Sequence, residues 1–137
     1  MSAKYTGSCL CGKIRYEIRG ELGAIVFCHC GQCRKAQGSA FASNAEVKRD
    51  AFVLLAGTDV LASHTSSPGK RRHFCRACGS PLYSERDGLP VLRLRIGTLD
   101  TPISAQPTAH IYAGSKAEWF DITDALPQHA ELEPARG

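Results

Sequence analysis

The cysteines constrain this chain more than any other feature. The 137-residue sequence contains seven of them. They fall into three short groups: Cys9-Leu10-Cys11, Cys28-His29-Cys30-Gly31-Gln32-Cys33 and Cys75-Arg76-Ala77-Cys78. Residues two apart in extended backbone point to the same side, so each C-x-C can aim two sulfurs at one centre. A C-x2-C pair does the same across a tight turn, and the spacings therefore predict converging sulfur atoms.

Metal is the interpretation that best fits these thiols. An odd number of cysteines leaves one outside a closed disulfide framework. The start, MSAKYTGSC, lacks the apolar core of a secretory signal, and no apolar run approaches the about 20 residues of a membrane span. We therefore expect a cytoplasmic protein whose thiols stay reduced and bind metal. A set of thiolates alone favours zinc over magnesium, calcium or manganese.

The spacing divides the cysteines into two sites. Cys28, Cys30 and Cys33 lie within six residues and can share one ion. The four that remain form two pairs far apart in the chain, and four thiolates make a closed tetrahedral site of the structural type. These four are Cys9, Cys11, Cys75 and Cys78. We therefore expect two Zn²⁺ ions per chain.

The three-cysteine site lacks a fourth ligand in this division. An open fourth position is typical of a catalytic or ligand-accepting zinc. The alternative is that a histidine or a distant carboxylate closes the site, with His29, His64 and His73 as candidates. His29 is a poor candidate, since in an extended C-H-C segment it points away from its neighbours.

The rest of the sequence predicts one mainly β domain over residues 1–137. Alternation is clearest at 13–19, where Ile14, Tyr16 and Ile18 share a face, and at 91–96. A short apolar run at 51–56 is typical of a buried strand, while 71–74, 81–85 and 109–113 are weaker strand candidates. A short helix at 32–37 is closed by Gly38. The polar tail from about residue 128 is expected to be loosely anchored.

The cysteine groups and their surroundings resemble the glutathione-dependent formaldehyde-activating enzyme family, which includes a centromere-associated protein. The resemblance covers Gly7 to about Pro127 and includes all seven cysteine positions. It rests on these segments: GSCLCGKIRY at 7–16, CHCGQCRKAQG at 28–38, FCRACGS at 74–80, GTLD at 97–100, His110-Ile111 and Trp119.

This resemblance implies both a fold and a chemistry. The implied fold is a β-tent of folded-over antiparallel sheets with zinc knuckles and little helix. The implied centres are a four-cysteine structural zinc and a three-cysteine zinc that accepts a substrate thiol. The implied reaction combines glutathione with formaldehyde to give S-hydroxymethylglutathione, formally a carbon–sulfur lyase reaction in reverse.

Three further residues are candidates for substrate binding. Arg34 and Lys35 follow the three-cysteine group and can clamp carboxylates of the thiol, or can be solvated charges that offset the thiolates. His110 can reach the zinc centre or be a hydrogen-bonded, half-buried histidine. Trp119 is interpreted as a core residue rather than a substrate platform.

Two alternatives to an enzyme stay open. One is a carrier of the thiol adduct, since three thiolates already neutralise zinc and blunt its Lewis acidity. The other is a zinc-stabilised module that binds protein or nucleic acid. Nucleic acid is disfavoured, because the sequence lacks a long recognition helix and aromatics interleaved with its basic residues. We expect a small thiol such as glutathione as partner and no membrane.

Overall fold

The computed structural model describes residues 4–132, and the chain is mainly β, with 43% strand and 12% helix. In that range the strands are β1 (Tyr5–Ser8), β2 (Arg15–Ile18), β3 (Ile25–Cys28), β4 (Ala42–Lys48), β5 (Phe52–Ala56), β6 (Leu61–Ser67), β7 (Lys70–Cys75), β8 (Pro81–Arg86), β9 (Val91–Arg95) and β10 (Pro107–Ile111). One α-helix, α1, spans Gly31–Gln37, and short 3₁₀ turns span Arg49–Ala51, Ile96–Thr98 and Ala113–Ser115. The predicted mainly β fold with little helix is confirmed.

The chain divides into two compact units, each assembled from separate stretches of sequence. The first unit combines residues up to 23 with 45–104, and the second combines 24–44 with the residues from 105 onward. The division falls within β4, so no linker marks it in the sequence. The prediction of one domain over 1–137 stays a prediction.

The first unit contains two antiparallel arrays. In one, β2 lies between β1 and β5. In the other, β6 pairs with β7, β7 with β8, and β8 with β9. The predicted faces hold: Ile14, Tyr16 and Ile18 are at most 1% exposed, and Leu94 is buried beside them in the same core. Cys9 and Cys75 belong to this core, which places part of the four-cysteine group inside it.

A glycine on β1 makes room for the largest side chain of that core. A Cβ atom placed on Gly7 would lie 2.2 Å from the Tyr16 ring and from its hydroxyl oxygen. The Tyr16 ring stacks on Phe52, and its hydroxyl lies 2.6 Å from that of Thr98. The ring can therefore cover β1 only because residue 7 has no side chain.

The second unit is built on a parallel pair. β10 pairs with β3, with His110 opposite Phe27 and Ile111 opposite Cys28. The small core around this pair contains Val26, Ala109 and Ile111 together with Cys28 and Cys33. The three-cysteine group thus begins at the end of β3, and two of its cysteines, Cys28 and Cys33, belong to the small core.

Most elements match the sequence predictions, and the differences have physical reasons. The helix ends at Gly38 in a left-handed conformation, as predicted. The run at 51–56 is a strand but not a buried one, since Leu55 is 50% exposed. The strands β1, β3, β4 and β6 were missed. β1 and β3 have only four residues each, and the seven-residue β4 and β6 lack a regular alternation of apolar and polar residues, so none of them gives a periodic signal.

The predicted loose tail is partly tied down. Backbone amides of His129 and Tyr112 link the tail to the end of β10, donating to carbonyls of His110 and Glu131. Residues 133–137 lie outside the described residues. Within the described part of the chain, no helix is long and apolar enough to cross a membrane.

Candidate metal centres

The four-cysteine group is assembled by two knuckles of the first unit. Cys9 and Cys11 follow β1, while Cys75 ends β7 and Cys78 lies in the turn before β8. All four Sγ atoms lie within 4.8 Å of one another, and all seven cysteines are free thiols. The structure thus brings together the four sulfur atoms that the spacing assigned to one site.

Sulfur separations within this group fit a tetrahedral ion. A zinc–sulfur bond of about 2.3 Å implies sulfur atoms about 3.8 Å apart at tetrahedral geometry. The Sγ atom of Cys11 lies 3.6 Å from that of Cys9 and 3.8 Å from that of Cys75. These distances exclude a disulfide, whose sulfurs lie about 2.05 Å apart.

Backbone amides point at these sulfurs in the way that thiolate ligands require. The amide of Ile14 donates to the Cys9 sulfur at 3.3 Å, and that of Cys78 donates to Cys75 at 3.4 Å. Each knuckle closes on a glycine with positive φ, 80° at Gly12 and 83° at Gly79. L-residues adopt this conformation at a cost, so glycine favours both turns.

Ser80 is a supporting residue that sequence reasoning missed. Its hydroxyl lies 3.3 Å from the Cys78 sulfur and accepts the amide of Leu10 at 2.9 Å. The hydroxyl can therefore donate to sulfur while it joins the two knuckles. Hydrogen bonds from the Ser80 side chain, from its backbone and from the backbone of Cys11 lower the pKa of Cys78 to about 5. These hydrogen bonds favour the thiolate form of Cys78, which is the form that ligates a cation.

The three-cysteine group lies where β3 passes into α1. Cys28 ends the strand, Cys30 caps the helix by accepting the amide of Cys33 at 3.3 Å, and Cys33 lies buried in the first turn. The three Sγ atoms lie within 4.8 Å of one another. Among residues 4–132, no fourth histidine, cysteine, aspartate or glutamate donor atom joins them.

Electrostatics favour a cation at this second group. Hydrogen bonding to Cys30 and Cys33, and then burial, raise the pKa of Cys28. Three adjacent thiolates in a buried place repel one another, so they cannot all lose their protons without a positive charge between them. A bound divalent cation supplies that charge, and the donor set suits zinc.

His29 does not close the second site. It is fully buried, and its Nε2 atom lies 2.8 Å from Nδ1 of His110. The ring packs against Phe41 and Phe120, with centroids 5.2 and 6.2 Å away. The other histidine candidates are also accounted for in the first unit, where His73 bonds to Glu85 and His64 lies exposed on β6.

His110 lies in a hydrogen-bonded arrangement, which was one of its two predicted alternatives. It is 1% exposed, and both ring nitrogens are engaged: Nδ1 with His29 and Nε2 with the carboxylate of Asp124 at 2.9 Å. It therefore offers no free ring nitrogen to a ligand, which corresponds to the hydrogen-bonded alternative. Asp124 was missed, since it is one of several acidic residues near the C-terminus and carries no motif.

The two basic candidates differ in position. Arg34 is half-buried on α1, and Lys35 is exposed next to it. Within residues 4–132, three buried side-chain nitrogens have no hydrogen-bond partner: His29 Nδ1, Arg34 Nε and Gln37 Nε2. All three lie within nine residues around the three-cysteine group. Arg34 and Gln37 are one helical turn apart and share a face, which Lys35 does not.

Trp119 is not a core residue. Its side chain is 73% exposed, so the sequence interpretation was wrong. The neighbouring Phe120 is the one that packs against His29 and Phe41. A single apolar residue in an irregular segment has no periodicity to indicate which of two neighbours turns inward.

The chain is a mainly β protein with two clusters of converging thiols, each of which could hold a metal ion. The sequence profile of the glutathione-dependent formaldehyde-activating enzymes matches residues 4–115. The chain belongs to this family.

Individual relatives agree with that assignment. A Halomonas elongata protein described as a candidate glutathione-dependent formaldehyde-activating enzyme is 30% identical over 130 residues, covering 85% of this chain and 79% of that protein. A Schizosaccharomyces pombe protein described as an uncharacterised lyase is 29% identical over 80 residues, covering 58% of this chain and 56% of that protein.

A solved structure shares the fold. The crystal structure of a Rhodobacter sphaeroides protein superposes with a TM-score of 0.60 at 23% identity, covering 72% of this chain and 91% of that one. At this identity the likeness supports the fold alone.

Proposed function

We propose that this protein binds two zinc ions and uses the three-cysteine one to hold a small thiol that combines with formaldehyde. The observation that carries the proposal is the contrast between the two groups. Four sulfurs converge in one group and three in the other, with no fourth donor of the usual kinds among residues 4–132. Zinc prefers four ligands, and a vacant fourth position accepts an exogenous one.

The proposed reaction is of the carbon–sulfur lyase class, run toward synthesis. The thiol loses its proton to solvent, its sulfur bonds to the carbonyl carbon of formaldehyde, and the carbon–oxygen π pair moves to oxygen. That oxygen takes up a proton and becomes the hydroxyl of an S-hydroxymethyl adduct. Zinc, when bound, lowers the pKa of the thiol and so favours the nucleophilic thiolate.

The chain's own residues supply position and charge. The Cys33 amide that donates to the Cys30 sulfur fixes the turn on which the ligands stand. Arg34 carries a fixed positive charge on the same turn, and its Nε has no hydrogen-bond partner in the described part of the chain. A carboxylate-bearing thiol such as glutathione would find a donor there. Lys35 remains a candidate for longer-range attraction, because it is exposed. Reduced thiols need a reducing compartment, which agrees with a cytoplasmic location.

The first test is binding of metal and thiol. Purified protein should contain close to two zinc ions per chain. In cobalt-substituted protein, sulfur-to-cobalt absorption should intensify when glutathione is added, and should not do so in Cys30→Ser. Binding should weaken as pH falls, since the thiol must lose its proton to ligate. A single ion per chain, with Cys28, Cys30 and Cys33 open to thiol reagents, would refute the two-site proposal.

Catalysis makes a further demand. Adduct formation must run faster than the spontaneous reaction at equal thiol and formaldehyde. Thiol binding without acceleration would identify a carrier of the adduct. If the protein neither binds the thiol nor accelerates the reaction, it is a zinc-stabilised binding module.

A further inference from the structure

The three-cysteine group is joined through His29 to a series of hydrogen-bonded side chains, of which His29 and His110 are buried and Asp124 is partly exposed. His29 stands between Cys28 and Cys30 and bonds through Nε2 to Nδ1 of His110, at 2.8 Å. His110 in turn bonds through Nε2 to both carboxylate oxygens of Asp124, at 2.9 and 3.1 Å. The Asp124 carboxylate also accepts the amide of Leu126 at 3.0 Å.

The direction of the hydrogen bonds from His29 through His110 to Asp124 follows from the carboxylate of Asp124. An ionised carboxylate only accepts, so Nε2 of His110 carries the proton that it donates to Asp124. In a neutral His110 ring the other nitrogen, Nδ1, then holds a lone pair and accepts from Nε2–H of His29. His29 is thereby set in one tautomer, with Nδ1 unprotonated. This is the atom that has no hydrogen-bond partner among residues 4–132.

The backbone of the same segment is clamped as well. The amide of His29 donates to the Ile111 carbonyl at 2.9 Å, and Cys28 is the register partner of Ile111 on β10. Phe41 and Phe120 also pack against the ring. A side chain and a peptide fixed at residue 29 leave the two flanking residues little freedom to turn their sulfur atoms.

Two imidazole rings in a small apolar core require a physical reason. Burying their polar nitrogens costs free energy that two apolar rings at the same positions would not cost. Ligand geometry supplies one. Residues that orient metal ligands from outside the coordination sphere raise affinity by holding the site ready.

We propose that His29, His110 and Asp124 are positioning residues for the three-cysteine centre. The hydrogen bonds among these three side chains hold the Cys28–Cys30 segment in the conformation that presents its sulfurs to one ion. This inference rests on the proposed function, since it assumes that the centre binds metal.

The test compares zinc affinity at the two centres in variants of the full-length protein. Chelator competition should show two classes of zinc in the wild type. In His110→Phe, which keeps a ring and removes both hydrogen bonds, zinc at the three-cysteine centre should bind about 10–100-fold more weakly. Zinc at the four-cysteine centre should be unchanged and serves as the internal reference.

A rescue variant separates positioning from packing. The side-chain oxygen of asparagine can take the place of Nδ1, so His110→Asn should recover much of the affinity although it fills the core less well. A packing role alone predicts the opposite order, with Phe better than Asn.

A second variant covers the case in which His110→Phe does not fold. Asp124→Ala acts at an exposed end of the chain, with Asp121→Ala as its matched control. Asp124→Ala should weaken zinc at the same centre, and ¹⁵N spectra should show His29 losing the single tautomer with unprotonated Nδ1. Asp121→Ala should change neither.

The outcomes separate the inference from the function on which it rests. A wild-type protein that holds one zinc ion overturns the proposed function and the inference together. Two zinc ions and thiol binding, with unchanged affinity in Asp124→Ala and in folded His110→Phe, overturn the inference alone. A protonated Nδ1 on His29 in the wild type overturns the donor order.

Discussion

Replacement of one cysteine in each centre should separate a zinc that holds the fold from one that does not. The perturbations are Cys75→Ser in the four-cysteine group and Cys30→Ser in the three-cysteine group. Cys75 is fully buried in the core of the first unit, and its sulfur lies 3.8 Å from that of Cys11, 64 positions away in the sequence. Cys30 lies three residues from Cys33 and two from Cys28.

The expected magnitude follows from loop closure. Tying two points 64 residues apart removes about 4 kcal/mol of chain entropy from the unfolded state, by the relation used for cross-links. Native domains are stable by only about 5–15 kcal/mol, so loss of this tie is a large fraction of the total. Ligands within six residues close only a short loop. Cys75→Ser should therefore lower the free energy of unfolding by about 4 kcal/mol or yield insoluble protein, whereas Cys30→Ser should stay folded and lose one zinc.

The assay is denaturant unfolding followed by circular dichroism, together with zinc analysis of each purified variant. Wild-type protein treated with a strong chelator provides the reference for loss of both ions. The reasoning is refuted if Cys30→Ser unfolds the protein while Cys75→Ser keeps wild-type stability, since the cysteines would then be wrongly divided between the centres.

Two further predictions concern the first unit. Gly7→Ala places a Cβ atom 2.2 Å from the buried ring of Tyr16, and should lower stability by about 1–3 kcal/mol in thermal unfolding; Gly97→Ala, where a Cβ meets nothing within 4 Å, is the control and should change little. The pKa of Glu85 is lowered because, although burial raises it, hydrogen bonding to Arg49 and other neighbours outweighs burial. A carboxyl whose folded pKa lies below its unfolded value stabilises above the unfolded pKa and loses that contribution as pH falls through the folded one. Stability should therefore fall below about pH 4 less steeply in Glu85→Gln, and an unchanged acid slope in that variant would contradict this account.

Local sequence determined the cysteine knuckles and several elements around them. C-x-C and C-x2-C spacings need only a few residues of backbone to bring two sulfurs together, and Gly12 and Gly79 supply the turns. Ile14, Tyr16 and Ile18 alternate, and the structure buries all three. These features depend on contacts between near neighbours, so the pattern in the sequence was sufficient to predict them.

The tertiary structure decided what lies around the knuckles. His110 reaches His29 only because β10 pairs in parallel with β3, and Asp124 joins them from an irregular segment. Trp119 turns outward and Phe120 inward. The two compact units each combine distant stretches of sequence, and their division inside β4 leaves no mark of composition. The hydrogen bond between the side chains of His29 and His110 joins residues 81 positions apart. It depends on the pairing of β3 with β10, and so on the free energy of the whole fold, which no local spacing encodes. The sequence thus determined which sulfur atoms can converge on one site. The tertiary structure alone determined which other side chains pack and form hydrogen bonds around the cysteine segments.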